Sequence, residues 1–399
     1  MIAKKYVEQL YKYFYIVLFL GYVIFVKVPE IRIGVICSLL TLLIGVQFFK
    51  CRVSKMGIIV VILMLWTALS IVFVDPSQTP YTVSLRELTN VVFPMFFFFA
   101  GEKYTKKEGE HDFYDLLLIA ILICFFSGLF WYICEPEYYL SYLKRIGYTL
   151  SWDNYHMDHR FCSFLGSIGI GLIGNCGLII AFSRWCTEHT KKYLIETVCM
   201  YIMIILSMQR AAYVIMVLTT IYIIWRNRIY KHSIFRLIVA IVLIGGVVGG
   251  IKEYEITGGN ALQVVERIAN INFEDLLVPR LKIWKPIFAI GVRLITGLGI
   301  GSCGIGGEIP VTDGGIVKIL GETGIIGILL WLIIIIVALH KIFHLKRYKK
   351  NATIPFLIII AFGMNSIGSN CIVFMEMAPI LWFSIGIVNS EHCIEKGIN

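Results

Sequence analysis

The sequence has little charge for its length, and this scarcity excludes an ordinary soluble domain. Only 16% of its 399 residues are Asp, Glu, Lys or Arg, and 58% are hydrophobic. Soluble globular domains carry roughly 25% charged residues, so a chain this apolar cannot cover its surface against water. We therefore expect lipid to be its main solvent and residues 1–399 to form one integral membrane domain.

Motifs for metal ions, disulfides and nucleotides are also missing. The eleven cysteines are scattered, without a C-x-x-C pair or the Cys/His spacing of zinc sites. The glycine-dense run G-L-G-I-G-S-C-G-I-G-G-E at 297–308 lacks the Gly-Lys-Ser/Thr ending of a P-loop and follows no βαβ pattern. Such a run favours a flexible turn into the next helix, with a backbone nest for an anion as the alternative. We expect no metal site and no cofactor.

The formal net charge is +10, but the arrangement of the basic residues argues against nucleic acid as a partner. Most Lys and Arg residues stand in short patches between apolar segments. No basic stripe interleaved with aromatic residues occurs. The pattern indicates membrane topology first and an anionic ligand second.

Twelve apolar runs are long enough to cross a hydrocarbon layer of roughly 30 Å. They predict an all-α fold, a polytopic bundle of about twelve transmembrane helices. The runs cover 11–26, 31–49, 56–74, 85–100, 114–134, 163–183, 192–208, 210–225, 234–251, 314–339, 354–374 and 376–390.

Positive charge alternates between successive loops, as the positive-inside rule requires, and this predicts that both termini are cytoplasmic. Two long loops, 135–162 and 252–313, then lie on the extracytoplasmic side, the second between the ninth and tenth helices. Their basic residues oppose the topology rule, which indicates that they bind something anionic. These residues are Lys144, Arg145, Arg160, Lys252, Arg267, Arg280, Lys282, Lys285 and Arg293.

The segment 279–299 of the second long loop has the period of an amphipathic helix, which Pro286 should kink. One interpretation is an interfacial helix under lipid head groups. Arg280 precedes this helix and lies outside its basic face, so its guanidinium can point inward and bind a diphosphate. The basic face comprises Lys282, Lys285, Ala289 and Arg293, and the apolar face comprises Ile283, Ile287, Ile290 and Leu294.

Charged residues at the ends of apolar runs are further candidates. Arg210, in S-M-Q-R-A-A-Y, lies between two runs with no acidic neighbour, which predicts a functional residue or one that snorkels to the interface. Asp313 precedes the tenth run, either as a helix N-cap or as an acceptor group near the membrane surface. Lys318 and Glu322 stand at i,i+4 spacing and most simply neutralise each other.

The first long loop contains S-W-D-N-Y-H-M-D-H-R at 151–160. This mixture suits stacking on sugars and hydrogen bonding to their hydroxyls, although an ordinary solvated loop has a similar composition. His156 and His159 alone do not indicate a metal site.

The C-terminal half resembles a family of membrane enzymes. The stretch from Arg210 through R-L-K-I-W, L-I-T-G-L-G-I-G and D-G-G-I-V-K-I-L-G-E-T-G-I-I-G-I-L-L-W-L is similar to O-antigen and capsule polymerases of the Wzy type and to O-antigen ligases. The resemblance covers about residues 207–335. It implies a GT-C-like, metal-independent glycosyltransferase of the bacterial inner membrane. The donor would be an undecaprenyl-diphosphate-linked oligosaccharide, and a chain-length regulator protein is a possible partner.

The resemblance also implies roles for individual residues. Two arginines of the ligases hold the diphosphate, at positions that correspond to Arg210 and Arg280 here. The ligases carry a His as base just before the following helix, whereas this chain has Thr312 and Asp313 there, which favours a polymerase with Asp313 as a catalytic candidate. The expected substrate-binding residues are His156, His159, Arg160, Lys282, Trp284, Lys285 and Glu322.

Two other functions remain open. An O-antigen ligase would transfer finished glycan to lipid A-core. A polysaccharide transporter or flippase would show paired interrupted helices and ionisable groups at the membrane midplane in both halves.

Overall fold

The computed structural model describes residues 54–104, 110–134, 161, 163, 165–207, 209–227, 273–304, 306–309, 313–345, 353–374 and 377–395. In these residues the regular structure is helical and no strand occurs, which confirms the all-α fold. The chain divides into two compact units, one of Met1–Leu116 with Lys282–Asn399 and the other of Leu117–Leu281.

Ten α-helices lie within the described residues. They are α1 (Lys55–Leu69), α2 (Tyr81–Tyr104), α3 (Glu110–Cys134), α4 (Gly166–Glu188), α5 (Lys191–Ser207), α6 (Arg210–Asn227), α7 (Phe273–Phe288), α8 (Gly315–Leu345), α9 (Thr353–Asn365) and α10 (Ala378–Glu395).

Within the part of the chain that the structure describes, five helical segments are long and apolar enough to cross a membrane, so the chain is a helical membrane protein. They are Lys55–Phe73, Tyr81–Glu102, Phe113–Cys134, Ile168–Glu188 and Gly315–His344. The predicted spans 11–26, 31–49 and 234–251 lie outside the described residues. The predicted spans 192–208, 210–225, 354–374 and 376–390 correspond to helices that are not among these five, so the count of twelve stays a prediction. Most of the loop 135–162 and the first part of the loop 252–313 also lie outside the described residues.

The first unit packs α1, α2, α8, α9 and α10 together. In this unit α2 and α10 pack closely, because glycines allow the two backbones to approach. A Cβ added at Gly101 would lie 3.1 Å from the amide nitrogen of Ile387. Phe113 and Phe383 stack nearby with ring centroids 3.7 Å apart. Helices associate in lipid through such small-residue contacts, because the hydrophobic effect contributes little to helix association there.

A polar cluster joins four helices at one end of this unit, where α1 begins and α2, α8 and α10 end. The Asn389 amide donates to the Ser54 hydroxyl over 2.9 Å and to the Glu102 carboxylate. Lys341 donates to the Asn389 carbonyl oxygen. The opposite end, where α1 stops and α2 and α8 start, carries the glycine-dense run.

The second unit contains most of α3 together with α4, α5 and α6. Glycines of α4 allow it to pack closely against α5 and α6. A Cβ at Gly174 would lie 2.9 Å from the Ile204 side chain. Asn175 donates to the carbonyls of Gly171, at 2.8 Å, and Ala212, at 3.1 Å, and so bonds α4 to α6.

The predicted amphipathic helix 279–299 was wrong at both ends. The helix α7 starts six residues earlier, at Phe273, and therefore contains Arg280, which does not precede it. The helix stops at Phe288, two residues after Pro286, and Gly291 at φ +62° leads into a 3-10 turn over Gly291–Leu294.

Candidate functional site

The helix α8 is broken near its start, and the break organises the candidate site. Gly324 has φ 68° and ψ −169°, which interrupts the helical hydrogen bonds. The carbonyls of Gly321 and Glu322 accept instead from the amides of Leu298, at 2.8 Å, and Gly299, at 3.0 Å. Because a carbonyl without a partner is costly in an apolar interior, the inserted chain is what makes the break tolerable.

We name residues 297–304 and 306–309, which supply these amides, the glycine loop. Several of its glycines have positive φ, where a side chain would be strained. A Cβ at Gly299 would lie 2.6 Å from the Ser70 carbonyl oxygen, and one at Gly301 would lie 2.8 Å from the Ser84 Cα. The glycines thus allow the turns of the loop and its close approach to Ser70, after α1, and to Ser84, in α2.

The glycine loop forms a nest for an anion, and the anion is a carboxylate of the chain itself. The side chain of Glu322 accepts from the amides of Gly301, at 3.1 Å, and Cys303, at 3.4 Å. Glu322 is buried, and a small, mainly apolar cavity borders it together with Thr67 and Thr323. Its first role is therefore to hold the loop, while its predicted role in substrate binding stays a prediction.

Lys318 lies between two carboxylates. Its ammonium is 2.7 Å from the Glu87 carboxylate and 3.8 Å from that of Glu322. The i,i+4 contact expected from the sequence exists, but the shorter ion pair is made with α2. Sequence reasoning missed Glu87, although an acidic residue in an apolar run is itself a signal of function or pairing.

The Cys303 thiol lies beside the charged side chains of Lys318 and Glu322. Burial raises the pKa of Cys303 to about 12, with the negative charge of Glu322 as a further cause. A thiol held neutral in this way is a poor nucleophile, so we place Cys303 in the packing of the loop.

Trp284 and Asp313 are brought together. The Trp284 indole donates to the Asp313 carbonyl oxygen over 2.5 Å, which fastens α7 to the residues before α8. Asp313 is half-buried, and α8 begins two residues later at Gly315. On the same helix, Lys282 and Lys285 are exposed to the surroundings.

The two predicted diphosphate ligands belong to the second unit. Arg210 is exposed and is the first residue of α6. Because α5 ends shortly before it, at Ser207, Arg210 lies between two helices, as the sequence predicted. A guanidinium beside the amide end of a helix presents concentrated positive charge. Arg280 is half-buried within α7.

The remaining predicted site residues, His156, His159 and Arg160, lie outside the described residues. Within the parts of the chain that the structure describes, no group of three His, Cys, Asp or Glu side chains has a geometry for a metal ion. Comparison with protein-family models and with curated proteins found no match for this chain.

Proposed function

We propose that this protein polymerises glycan repeat units carried on a lipid diphosphate, at the extracytoplasmic face of the bacterial inner membrane. One observation supports it most. A helix with exposed cations, α7, is bound through Trp284 to the backbone of Asp313 in a protein that is otherwise largely apolar. Such a chain offers an amphiphilic, anionic substrate both lipid surroundings and positive charge.

The reaction needs little beyond positioned charge and a base. A hydroxyl oxygen of one repeat unit attacks the anomeric carbon of another and forms a new glycosidic bond. The bond between that carbon and the diphosphate oxygen breaks, the lipid diphosphate leaves with the electron pair, and the hydroxyl proton passes to a base. The protein must stabilise the departing negative charge and accept this proton.

Arg210 and Arg280 would stabilise the departing diphosphate. A guanidinium is always charged and matches two phosphate oxygens at once. Arg210 adds the helix dipole of α6 to its own charge. The proposal requires both arginines to bind the same diphosphate.

Asp313 would accept the proton. Its backbone is fixed by the Trp284 indole, so its carboxyl group starts from a defined position. Trp284, Lys282 and Lys285 would bind the sugar and phosphate groups of the substrate, together with Arg160, His156 and His159. Glu322 would position the glycine loop. A chain-length regulator remains a proposed partner.

A transporter or flippase is a second candidate, and one observation favours it. The break of α8 at Gly324 beside the buried ions of Lys318 and Glu322 resembles the discontinuous helices that transporters use for binding. A transporter, however, needs no base, so Asp313→Asn should leave its activity intact. A ligase, as a third candidate, would leave polymer made but attached to its carrier lipid when the gene is deleted.

Substitutions in the host bacterium test the proposal. Arg210→Ala, Arg280→Ala and Asp313→Asn should each abolish long polysaccharide while normal amounts of protein stay in the membrane. Arg226→Ala, at the other end of α6, is the matched control and should leave chain length unchanged. Normal chain length in both Arg210→Ala and Arg280→Ala would defeat the proposal.

A further inference from the structure

We propose that residues 282–295 bind the head groups of anionic phospholipids at the membrane boundary. We name this part of α7 and the 3-10 turn after it the boundary segment. The proposal goes beyond the polymerase reaction, but it shares Lys282 and Lys285 with the proposed substrate site, so its test separates phosphatidylglycerol from polyprenyl phosphate.

One face of the boundary segment is fastened to the protein. Ile287 is fully buried against Leu298, Cys303 and Ile309, and Ile290 and Leu294 pack on the same cluster. The segment therefore lies against the glycine loop at a fixed angle and presents its other face outward.

The outward face mixes cations with large apolar side chains. Phe288 is 54% exposed, Val292 86% and Ile295 51%, and the charged residues among them, Lys282, Lys285 and Arg293, are exposed too. Apolar residues at this exposure are unfavourable in water, and exposed cations are unfavourable in hydrocarbon. The boundary between head groups and acyl chains suits both kinds of side chain at once.

The segment also lies at the level where two candidate spans end. Asp75 belongs to the short connection between Lys55–Phe73 and Tyr81–Glu102. Hydrogen bonds from the Ser77 hydroxyl and amide lower the pKa of Asp75, and the positive charge of Arg293 contributes to this shift. The glycine loop after the boundary segment reaches the start of the same connection, since a Cβ at Gly299 would lie 2.7 Å from the Val74 amide nitrogen.

The spread of charge favours lipid head groups over a single phosphate-bearing molecule. Lys282 and Lys285 lie on the last turns of α7, while Arg293 lies beyond the helix end and the turn at Gly291. One diphosphate cannot meet cations spread along the whole segment, but a layer of phosphates can. The apolar side chains among the cations need acyl chains, which the same lipids provide.

Lipid binding by the purified full-length protein tests this proposal. Native mass spectrometry after exchange into mixed phosphatidylglycerol and phosphatidylcholine measures which lipid remains bound. In the triple variant Lys282→Gln, Lys285→Gln and Arg293→Gln, the preference for phosphatidylglycerol should fall roughly a hundredfold, because each of the three cations near a membrane surface contributes about fivefold and the factors multiply. The matched triple variant Lys191→Gln, Lys192→Gln and Arg226→Gln removes the same charge at another predicted membrane boundary and should leave the binding of phosphatidylglycerol to residues 282–295 unchanged.

Photoactivatable phosphatidylglycerol gives a second measurement that needs no variant. We expect crosslinks within 288–295. The proposal is overturned if the crosslinks fall only outside 282–295, or if the first triple variant retains phosphatidylglycerol as the unaltered protein does. It is also overturned if polyprenyl phosphate is retained at this segment and phosphatidylglycerol is not.

Discussion

The Lys318 ammonium lies 2.7 Å from a carboxylate oxygen of Glu87, a residue 231 positions away in the sequence. The pair joins α2 to α8 immediately beside the glycine loop, and Glu322 adds a second carboxylate to the ammonium at 3.8 Å. Buried charges of this kind are costly to leave without a partner, so the three side chains should behave as one unit.

Removing the ammonium should therefore destabilise the protein strongly. In Lys318→Met, two carboxylates with low exposure lose their cation, and we expect the free energy of unfolding to fall by about 3 to 5 kcal/mol. Adding Glu87→Gln to Lys318→Met should recover part of that loss. Thermal unfolding of the purified variants in detergent measures both effects.

Arg86→Gln is the matched control for this pair. Arg86 neighbours Glu87 but its side chain is 58% exposed, so the substitution should change stability by at most about 1 kcal/mol. An unfolding temperature for Lys318→Met equal to that of Arg86→Gln would show that the buried pair is unimportant.

The glycine loop should tolerate side chains only where it is open. Gly299→Ala combines the strain of a positive φ with a clash against Ser70, so we expect a cost of about 2 to 5 kcal/mol. Gly291→Ala meets no atom within 4 Å and should cost only the strain, about 1 to 2 kcal/mol. Unfolding temperatures of the two variants make the comparison, and equal losses would contradict close packing around Gly299.

How far the sequence predicts this fold depends on whether a feature is local. The run 56–74 predicted Lys55–Phe73 closely because the length of an apolar run is a local property. The bounds of α7 were wrong because the amphipathic period does not show where a helix starts or ends, and Ile287 is held by tertiary contacts. The run 354–374 was too long, since α9 ends at Asn365 and a 3-10 turn over Cys371–Val373 follows.

The candidate site, too, was predictable only in those features that depend on local sequence. The i,i+4 spacing predicted the contact of Lys318 with Glu322, whereas nothing local relates Lys318 to Glu87. Glycine density indicated a turn or a nest, but the identity of the bound anion depends on α8 being broken at Gly324. That break is stable only because the amides of Leu298 and Gly299 reach it through the tertiary fold.

Cysteine labelling should report on the glycine loop. Cys303 is buried and its pKa is raised to about 12, so its thiolate is scarce at neutral pH, while Cys134 is exposed. With N-ethylmaleimide and peptide mass spectrometry, Cys134 should react and Cys303 should not. Glu322→Gln, which weakens the bonds to the Gly301 and Cys303 amides, should speed the labelling of Cys303. Equal rates for Cys303 and Cys134 in the unaltered protein would contradict the closed loop.

The position of Arg280 relative to the membrane is the next prediction. The basic loops predict that it faces the outside, so a membrane-impermeant maleimide added to intact cells should label Arg280→Cys. Arg226→Cys, in the last turn of α6 at the end predicted to be cytoplasmic, should be labelled only after the cells are opened. The reverse pattern would make an extracytoplasmic diphosphate site at Arg280 impossible.

Purified protein in lipid vesicles, supplied with repeat units on undecaprenyl diphosphate, tests the central claim most directly. We predict that the unaltered protein forms a ladder of glycans of increasing length and releases undecaprenyl diphosphate without any nucleotide sugar, and that Arg210→Ala and Arg280→Ala form neither product. Repeat units that stay unjoined with the folded, unaltered protein, or that are joined equally well by both arginine variants, would contradict the account.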